Sequence, residues 1–206
     1  LAGASVGSLN NILTVHVEGG ERSGTIDELI RHAVSKLSHV HLVANQAAMV
    51  RLIQMGELAE SVFVIGSPDV DLMMSPDLPS IESVKQRYDI KFSKYAIAML
   101  HPVTTELDRL ERDLDIFIQV LQKAERNFIL IYPNNDSGSE EIIRRYQNLQ
   151  LSNVRLIPSM RFEYFLSALK HAQFIIGNSS AGIREAPYYQ VPAIDLGSRQ
   201  LNRSDN

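Results

Sequence analysis

The feature that most constrains this chain is its rhythm. Short apolar runs recur, each followed by a polar or Gly-containing exit and then an amphipathic stretch. Strand-like runs fall at 13–17, 40–44, 62–65, 95–100, 128–132, 154–157, 174–176 and 193–196. Helical stretches fall near 26–37, 47–55, 81–88, 106–125, 139–149 and 162–170, with another from about Gly182. The 3.6-residue period is clearest at Ile26, Leu29, Ile30, Ala33, Val34 and Leu37. Thr25 and Glu28 form a capping box ahead of it. Strands alternating with helices imply parallel βαβ units, and so an α/β fold with helices on both faces of its sheets.

The rhythm breaks once. Ser75-Pro76-Asp77-Leu78-Pro79-Ser80 places two prolines in six residues and reads as a linker. Three strands precede it and five follow. Five suffice for a covered parallel sheet, whereas three are thin. The expected organisation is therefore the C-terminal part of a first α/β domain at 1–75 and a second α/β domain at 76–206. The first residue is Leu1 rather than Met, so the missing strands are expected upstream.

Composition excludes several classes of function. With 20 basic against 24 acidic residues the net charge is −4, which rules out a wholesale basic surface for nucleic acid. The absence of cysteine excludes disulfides, a thiol nucleophile and thiolate metal ligands, and fits a reducing cytoplasm. No apolar run approaches the roughly 20 residues that span a bilayer. His39 and His41 alternate on one strand, but no His-Glu-x-x-His or Asp-rich metal loop occurs. Neither a Gly-x-Gly-x-x-Gly turn nor a Walker A lysine follows any strand.

Ligands of open α/β sheets bind beyond the carboxyl ends of the strands. Glu18 follows the first strand, and His101 opens His101-Pro102-Val103-Thr104-Thr105 after the fourth. Asn134 follows the fifth strand in Tyr132-Pro133-Asn134. Gly177-Asn178-Ser179-Ser180-Ala181-Gly182 follows the seventh, and Gly197-Ser198-Arg199 the eighth. Any one of these reads as an ordinary βα turn rich in Gly, Asn and Ser. Together they mark a site.

The run from Gly177 to Gly182 has the strongest mechanism. A Gly- and Ser-rich turn entering a helix offers backbone N–H groups and serine hydroxyls to a phosphate. A nucleophile elbow fails on spacing, because Asn178 or Ala181 stands where a glycine is required. A plain serine N-cap is the competing reading. Glu185, one to two turns further on, would repel phosphate but accept hydrogen bonds from a ribose. Otherwise it is a solvent-facing helix glutamate. Glu18, Glu21, Asp27 and Arg31 gather around the first strand-to-helix turn. Paired carboxylates beside a cation suit proton abstraction from carbon; on composition alone a solvated helix face is the favoured reading.

In order along the chain, these segments resemble the hydrolysing UDP-N-acetylglucosamine 2-epimerases of sialic acid biosynthesis. The resemblance rests on His16-Val17-Glu18-Gly19-Gly20-Glu21, Ser23-Gly24-Thr25-Ile26-Asp27-Glu28, Arg31-His32 and His101-Pro102-Val103-Thr104-Thr105. Tyr132-Pro133-Asn134, Gly177-Asn178-Ser179-Ser180 and Gly197-Ser198-Arg199-Gln200 complete it. It implies a GT-B-like fold whose active site lies in the cleft between two Rossmann-like halves. Elimination of UDP would give a 2-acetamidoglucal, and addition of water would release N-acetylmannosamine, without metal or nicotinamide cofactor. Glu18 and Asp27 would be catalytic, supported by Arg31. His101 would stabilise the leaving diphosphate or act as an acid toward it. Asn134, Met160, Ser179, Ser180, Glu185 and Arg199 would hold the UDP.

The resemblance also implies a cytoplasmic homo-oligomer, dimer or tetramer, acting on a UDP-sugar, with no nucleic acid or membrane partner. Non-hydrolysing relatives carry His-Arg-Arg-Glu where this chain has His101-Pro102-Val103-Thr104, which favours the hydrolysing branch. Because the family's first strands and final helices lack counterparts, the 206-residue chain alone is expected to show little or no turnover. Alternatives are a 2-epimerase for UDP-N,N'-diacetylbacillosamine of the legionaminic acid pathway, a GT-B glycosyltransferase, and a non-catalytic nucleotide-sugar-binding remnant.

Overall fold

The computed structural model describes residues 1–22 and 26–201. The capping box at Thr25 therefore lies outside the described residues. Two compact units form, one of Leu1–Met74 with Leu201, the other of Ser75–Gln200.

The first unit carries a parallel sheet of β1 (Val15–Val17), β2 (Val40–Val43) and β3 (Val62–Val64), in that order. Its helices are α1 (Ala2–Leu9), α2 (Ile26–Lys36), α3 (Gln46–Gln54) and α4 (Pro68–Met73). Val43, Ala48, Leu52 and Val62 form a small core between the sheet and α3. α3 starts where Asn45 accepts the Ala48 amide at 2.9 Å, an N-cap that satisfies one of the helix's open donors. His41 is fully buried on the central strand, 3.3 Å from Glu57, which also takes Lys36 at 2.7 Å.

Two features of this unit differ from the sequence reading. α1 and α4 were not anticipated, because α1 is rich in Gly, Ala and Ser and α4 is barely two turns. The periodic stripe of α2 predicts a buried face, yet Ile26, Leu29 and Ile30 are exposed. The core of the described unit is closed by α3 instead.

The second unit is a five-stranded parallel sheet in the order β6-β5-β4-β7-β8. Its strands are β4 (Ala96–Met99), β5 (Phe128–Ile131), β6 (Val154–Ile157), β7 (Ile175–Gly177) and β8 (Ala193–Asp195). Four helices accompany them: α5 (Ile81–Tyr88), α6 (Leu110–Lys123), α7 (Ser139–Gln147) and α8 (Phe162–Lys170). β5 is buried along its whole length, as a strand inside a covered parallel sheet must be. α6 and α7 pack Leu114, Phe117, Leu121, Ile142 and Tyr146 against Ala96, Ala98, Phe128 and Leu130. Each leucine, isoleucine or phenylalanine among them, withdrawn from water, contributes about 1.5–3 kcal/mol.

The chain leaves β4 toward β5 and β6, then crosses back through α8 to place β7 on the other side of β4. That reversal opens a crevice at the carboxyl ends of β4 and β7, the usual ligand position of doubly wound sheets.

The helix expected from Gly182 does not form. Two short 3-10 turns, Ser180–Gly182 and Ala186–Tyr189, take its place. Pro187 has no amide hydrogen to continue a helix, and Gln190 turns left-handed at φ 55°. Glu185 accordingly occupies the N-cap of the second turn and is buried.

Candidate functional site

In the first unit, the exit of β1 is a turn fixed by side chains of α2 and of α3 with its N-cap. The Arg51 guanidinium donates to the Gly20 carbonyl, and Arg31 Nη1 donates to the Glu21 carbonyl at 3.1 Å. Asn45 donates to the Glu21 carboxylate at 3.1 Å. Gly20 sits at φ 76°, where an added Cβ would lie 2.6 Å from the Ala48 carbonyl oxygen. Only glycine fits there.

Glu18 opens this turn in the left-handed region, at φ 59°. Non-glycine residues rarely adopt that conformation, and where they do it commonly serves a site. The Ser67 hydroxyl, arriving from the exit of β3, donates to Glu18 Oε1. Asp27 stands exposed in the first turn of α2, one turn before Arg31. Behind them, His16 Nδ1 lies 3.0 Å from Ser35 Oγ. Burial, reinforced by neighbouring His41, pushes the His16 imidazole down to about 4.

In the second unit, the exits of four strands close into a ring of polar contacts. The amide of His101, after β4, donates to Asn178 Oδ1 at 2.7 Å, and Asn178 Nδ2 donates back to the His101 carbonyl at 2.8 Å. The Asn134 amide, after β5, donates to His101 Nδ1 at 3.0 Å, while its side chain donates to Asp136. Arg199, after β8, lies 3.8 Å from the Asp136 carboxylate and donates to the Asn178 carbonyl at 3.3 Å. Gln200 donates to that same carbonyl at 2.7 Å.

This ring determines the state of His101. Burial, then the positive charge of Arg199, pushes its pKa down to about 4, against the opposing pull of Asn134 and Asp136. The imidazole is therefore neutral at pH 7. Nδ1 faces both the Asn134 amide at 3.0 Å and Asn134 Oδ1 at 3.3 Å; the amide, the closer partner, selects the tautomer that carries its proton on Nε2.

Beside the ring, Met160, Ser179, Ser180 and Glu185 line one cleft of about 260 Å³, walled by Met99, Ile131, Phe162 and Phe165. Gly177 makes the close approach possible: at φ 142°, an added Cβ would lie 1.7 Å from the Met99 carbonyl oxygen. The Ser179 hydroxyl caps the turn by accepting the Ala181 amide at 3.3 Å. The amides of Gly182 to Glu185 are bonded within the turn, so a ligand would meet the serine hydroxyls rather than the open end of a helix. A second hollow of about 300 Å³ lies behind His101, but its walls of Leu100, Phe117, Val120, Ile176 and Leu196 suit no anion.

The sequence-expected residues thus fall into three groups. Glu18 and Arg31 meet at the β1 turn with Asp27 on the adjoining helix. His101, Asn134 and Arg199 belong to the ring, and Met160, Ser179, Ser180 and Glu185 to the cleft. Sequence reasoning did not single out Asn178, Asp136, Gln200 or Ser67 as site residues. Asn178 follows β7 directly, and that position was the signal available for it. Among the described residues, no group of three or more His, Asp or Glu side chains is arranged to hold a metal ion. No described helix is long and apolar enough to cross a membrane.

Parallel α/β sheets with convergent polar exits at their carboxyl ends define a GT-B-like protein. A family model described as UDP-N-acetylglucosamine 2-epimerase matches residues 1–206. The chain belongs to the UDP-N-acetylglucosamine 2-epimerase family.

It is 53% identical over 203 residues to a UDP-N-acetylglucosamine 2-epimerase of Neisseria meningitidis serogroup B, covering 98% of this chain and 54% of the relative. It is 38% identical over 202 residues to a UDP-N,N'-diacetylbacillosamine 2-epimerase (hydrolyzing) of Legionella pneumophila, covering 95% of this chain and 53% of the relative. The crystal structure of Methanocaldococcus jannaschii UDP-GlcNAc 2-epimerase in complex with UDP-GlcNAc and UDP shares the fold. There the TM-score is 0.78 at 22% identity, covering 97% of this chain and 57% of that one. The chain spans about half the length of the curated relatives it matches.

Proposed function

We propose that this chain serves a hydrolysing UDP-N-acetylglucosamine 2-epimerase, its first unit supplying the acids and its second unit the grip on UDP. Ser179 and Ser180 hold the diphosphate, Glu185 accepts the ribose hydroxyls, and Asn134, Met160 and Arg199 hold the rest of the nucleotide. The carrying observation is the cleft in which Met160, Ser179, Ser180 and Glu185 meet, a buried carboxylate placed beside two hydroxyl donors.

In this reading one of the pair Glu18 and Asp27 takes the proton from C2 of the sugar. The C1–O bond breaks, and its electrons leave with UDP, giving the C1=C2 bond of a 2-acetamidoglucal. Neutral His101 donates Nε2–H to the departing diphosphate as charge grows there, an interaction strongest in the transition state. Water then adds oxygen to C1 while C2 regains a proton from the opposite face, releasing N-acetylmannosamine. Arg31, fixed on the Glu21 carbonyl, keeps a positive charge near the acids.

The 38% identity to the Legionella pneumophila relative favours a second reading, the same chemistry on UDP-N,N'-diacetylbacillosamine. Both are tested by offering each UDP-sugar in deuterated water to the natural polypeptide that carries this chain. Elimination and readdition place deuterium at C2 of the released sugar. A glycosyltransferase leaves C2 unlabelled, and that outcome rejects the proposal.

A further inference from the structure

We propose that Ser67 is a positioning residue for Glu18, a role that rests on the catalytic reading of Glu18 given above. Glu18 follows β1 and Ser67 follows β3, the two outer strands of the first sheet, so the contact arches over the end of β2. Three observations carry it.

The Ser67 hydroxyl donates to Glu18 Oε1. Ser67 also occupies the N-cap of α4, where a serine ordinarily accepts an amide of the first turn, yet its side chain makes no capping bond. The hydroxyl is thus committed to a carboxylate 49 residues away rather than to its own helix. Finally, the carboxylate it holds projects from a left-handed, non-glycine backbone at φ 59°. Such a conformation persists only where the surroundings over-determine it.

Chemically, a hydroxyl on one carboxylate oxygen restrains the plane of the group and so the direction from which it meets the sugar. A base that must meet a C–H bond in one geometry gains rate from such restraint, without any gain in substrate affinity. Ser67 touches no substrate in this account. It acts through Glu18.

The test uses Ser67→Ala and Ser67→Thr in the natural polypeptide. Ser67→Ala is expected to lower kcat roughly 10- to 100-fold with KM within about 2-fold, and Ser67→Thr, which keeps the hydroxyl, to recover most of it. Because the hydroxyl caps nothing, Ser67→Ala is expected to move Tm by less than about 2 °C. In a Glu18→Gln background, Ser67→Ala is expected to have no further effect on the residual rate.

An unchanged kcat in Ser67→Ala overturns the proposal. So does an equal loss in both backgrounds, including one caused by poor folding. If the parent protein turns over neither UDP-sugar, the functional reading fails by itself. A crystal structure of Ser67→Ala then decides: a Glu18 carboxylate that swings away supports positioning, and one that stays in place rejects it.

Discussion

His101 and Asn178 exchange two hydrogen bonds, amide to side-chain oxygen at 2.7 Å and side-chain nitrogen to carbonyl at 2.8 Å, across the point where the second sheet reverses direction. The asparagine reads the main chain of the histidine as a neighbouring strand would. It thereby extends the β4–β7 ladder one step past its end and holds the imidazole at the crevice.

Removing that side chain should cost both stability and grip. Asn178→Leu leaves a buried amide and a buried carbonyl unsatisfied, at about 1–3 kcal/mol each. Asn178→Asp keeps the acceptor, loses the donor and brings a buried negative charge near Arg199. Urea unfolding is expected to rank the variants wild type, then Asp, then Leu. Titration with UDP is expected to show weaker binding for both.

The imidazoles predict a pH dependence of known sign. His16 and His101 are held at about 4, against an ordinary 6.5. Between those values the unfolded chain takes up protons that the folded chain refuses. Stability is therefore full above about 6.5 and falls as the pH drops toward 4. His101 contributes a slope of at most about 1.4 kcal/mol per pH unit, and half-buried His16 less, through solvent screening. Urea midpoints at pH 7, 6 and 5 measure it, and His101→Gln should flatten the curve.

Gly177→Ala is expected to abolish the second unit rather than trim its activity. The added methyl collides with the Met99 carbonyl, and φ 142° is closed to L side chains. A loss above about 4 kcal/mol places this change among the severe lesions. Circular dichroism and soluble yield report it directly.

Glu185 offers a cleaner probe of the nucleotide. Glu185→Gln keeps the shape of the cleft and weakens the acceptor, so the Kd for UDP is expected to rise roughly 10-fold, about 1.4 kcal/mol. Glu163→Gln, a partly exposed change on α8, is expected to leave it unchanged. Isothermal titration distinguishes the two.

Glu18→Gln and Asp27→Asn should each suppress deuterium incorporation at C2 by at least about 100-fold while leaving UDP affinity within about 2-fold. Mass spectrometry of the released sugar, beside a UDP titration, checks both halves of that statement.

The strands were legible because burial writes them plainly: Phe128–Ile131 is a continuous apolar run inside the sheet, and every run identified became a strand. The helix after β7 was misread because Ser180, Gly182 and Pro187 pass as helix-entry residues in sequence while together breaking the helix into 3-10 turns. The stripe of α2 was real as a pattern but does not reveal what covers it. At the site, residues that follow strands were legible, since the sheet gathers its exits. Asn178 and Ser67 follow strands too, but their roles were not legible, because each acts on a partner 77 or 49 residues away. Local patterns carry no record of that.

The crossover that sets β7 beside β4 also governs when the crevice can exist. Nothing upstream of residue 175 completes the ring, so a folding intermediate built from β4, β5 and β6 has a core but no ring. Long-range pairing of this kind is slow to close. Any ligand that recognises only the finished arrangement then acts as a folding ligand, drawing the chain toward its completed sheet in proportion to its concentration.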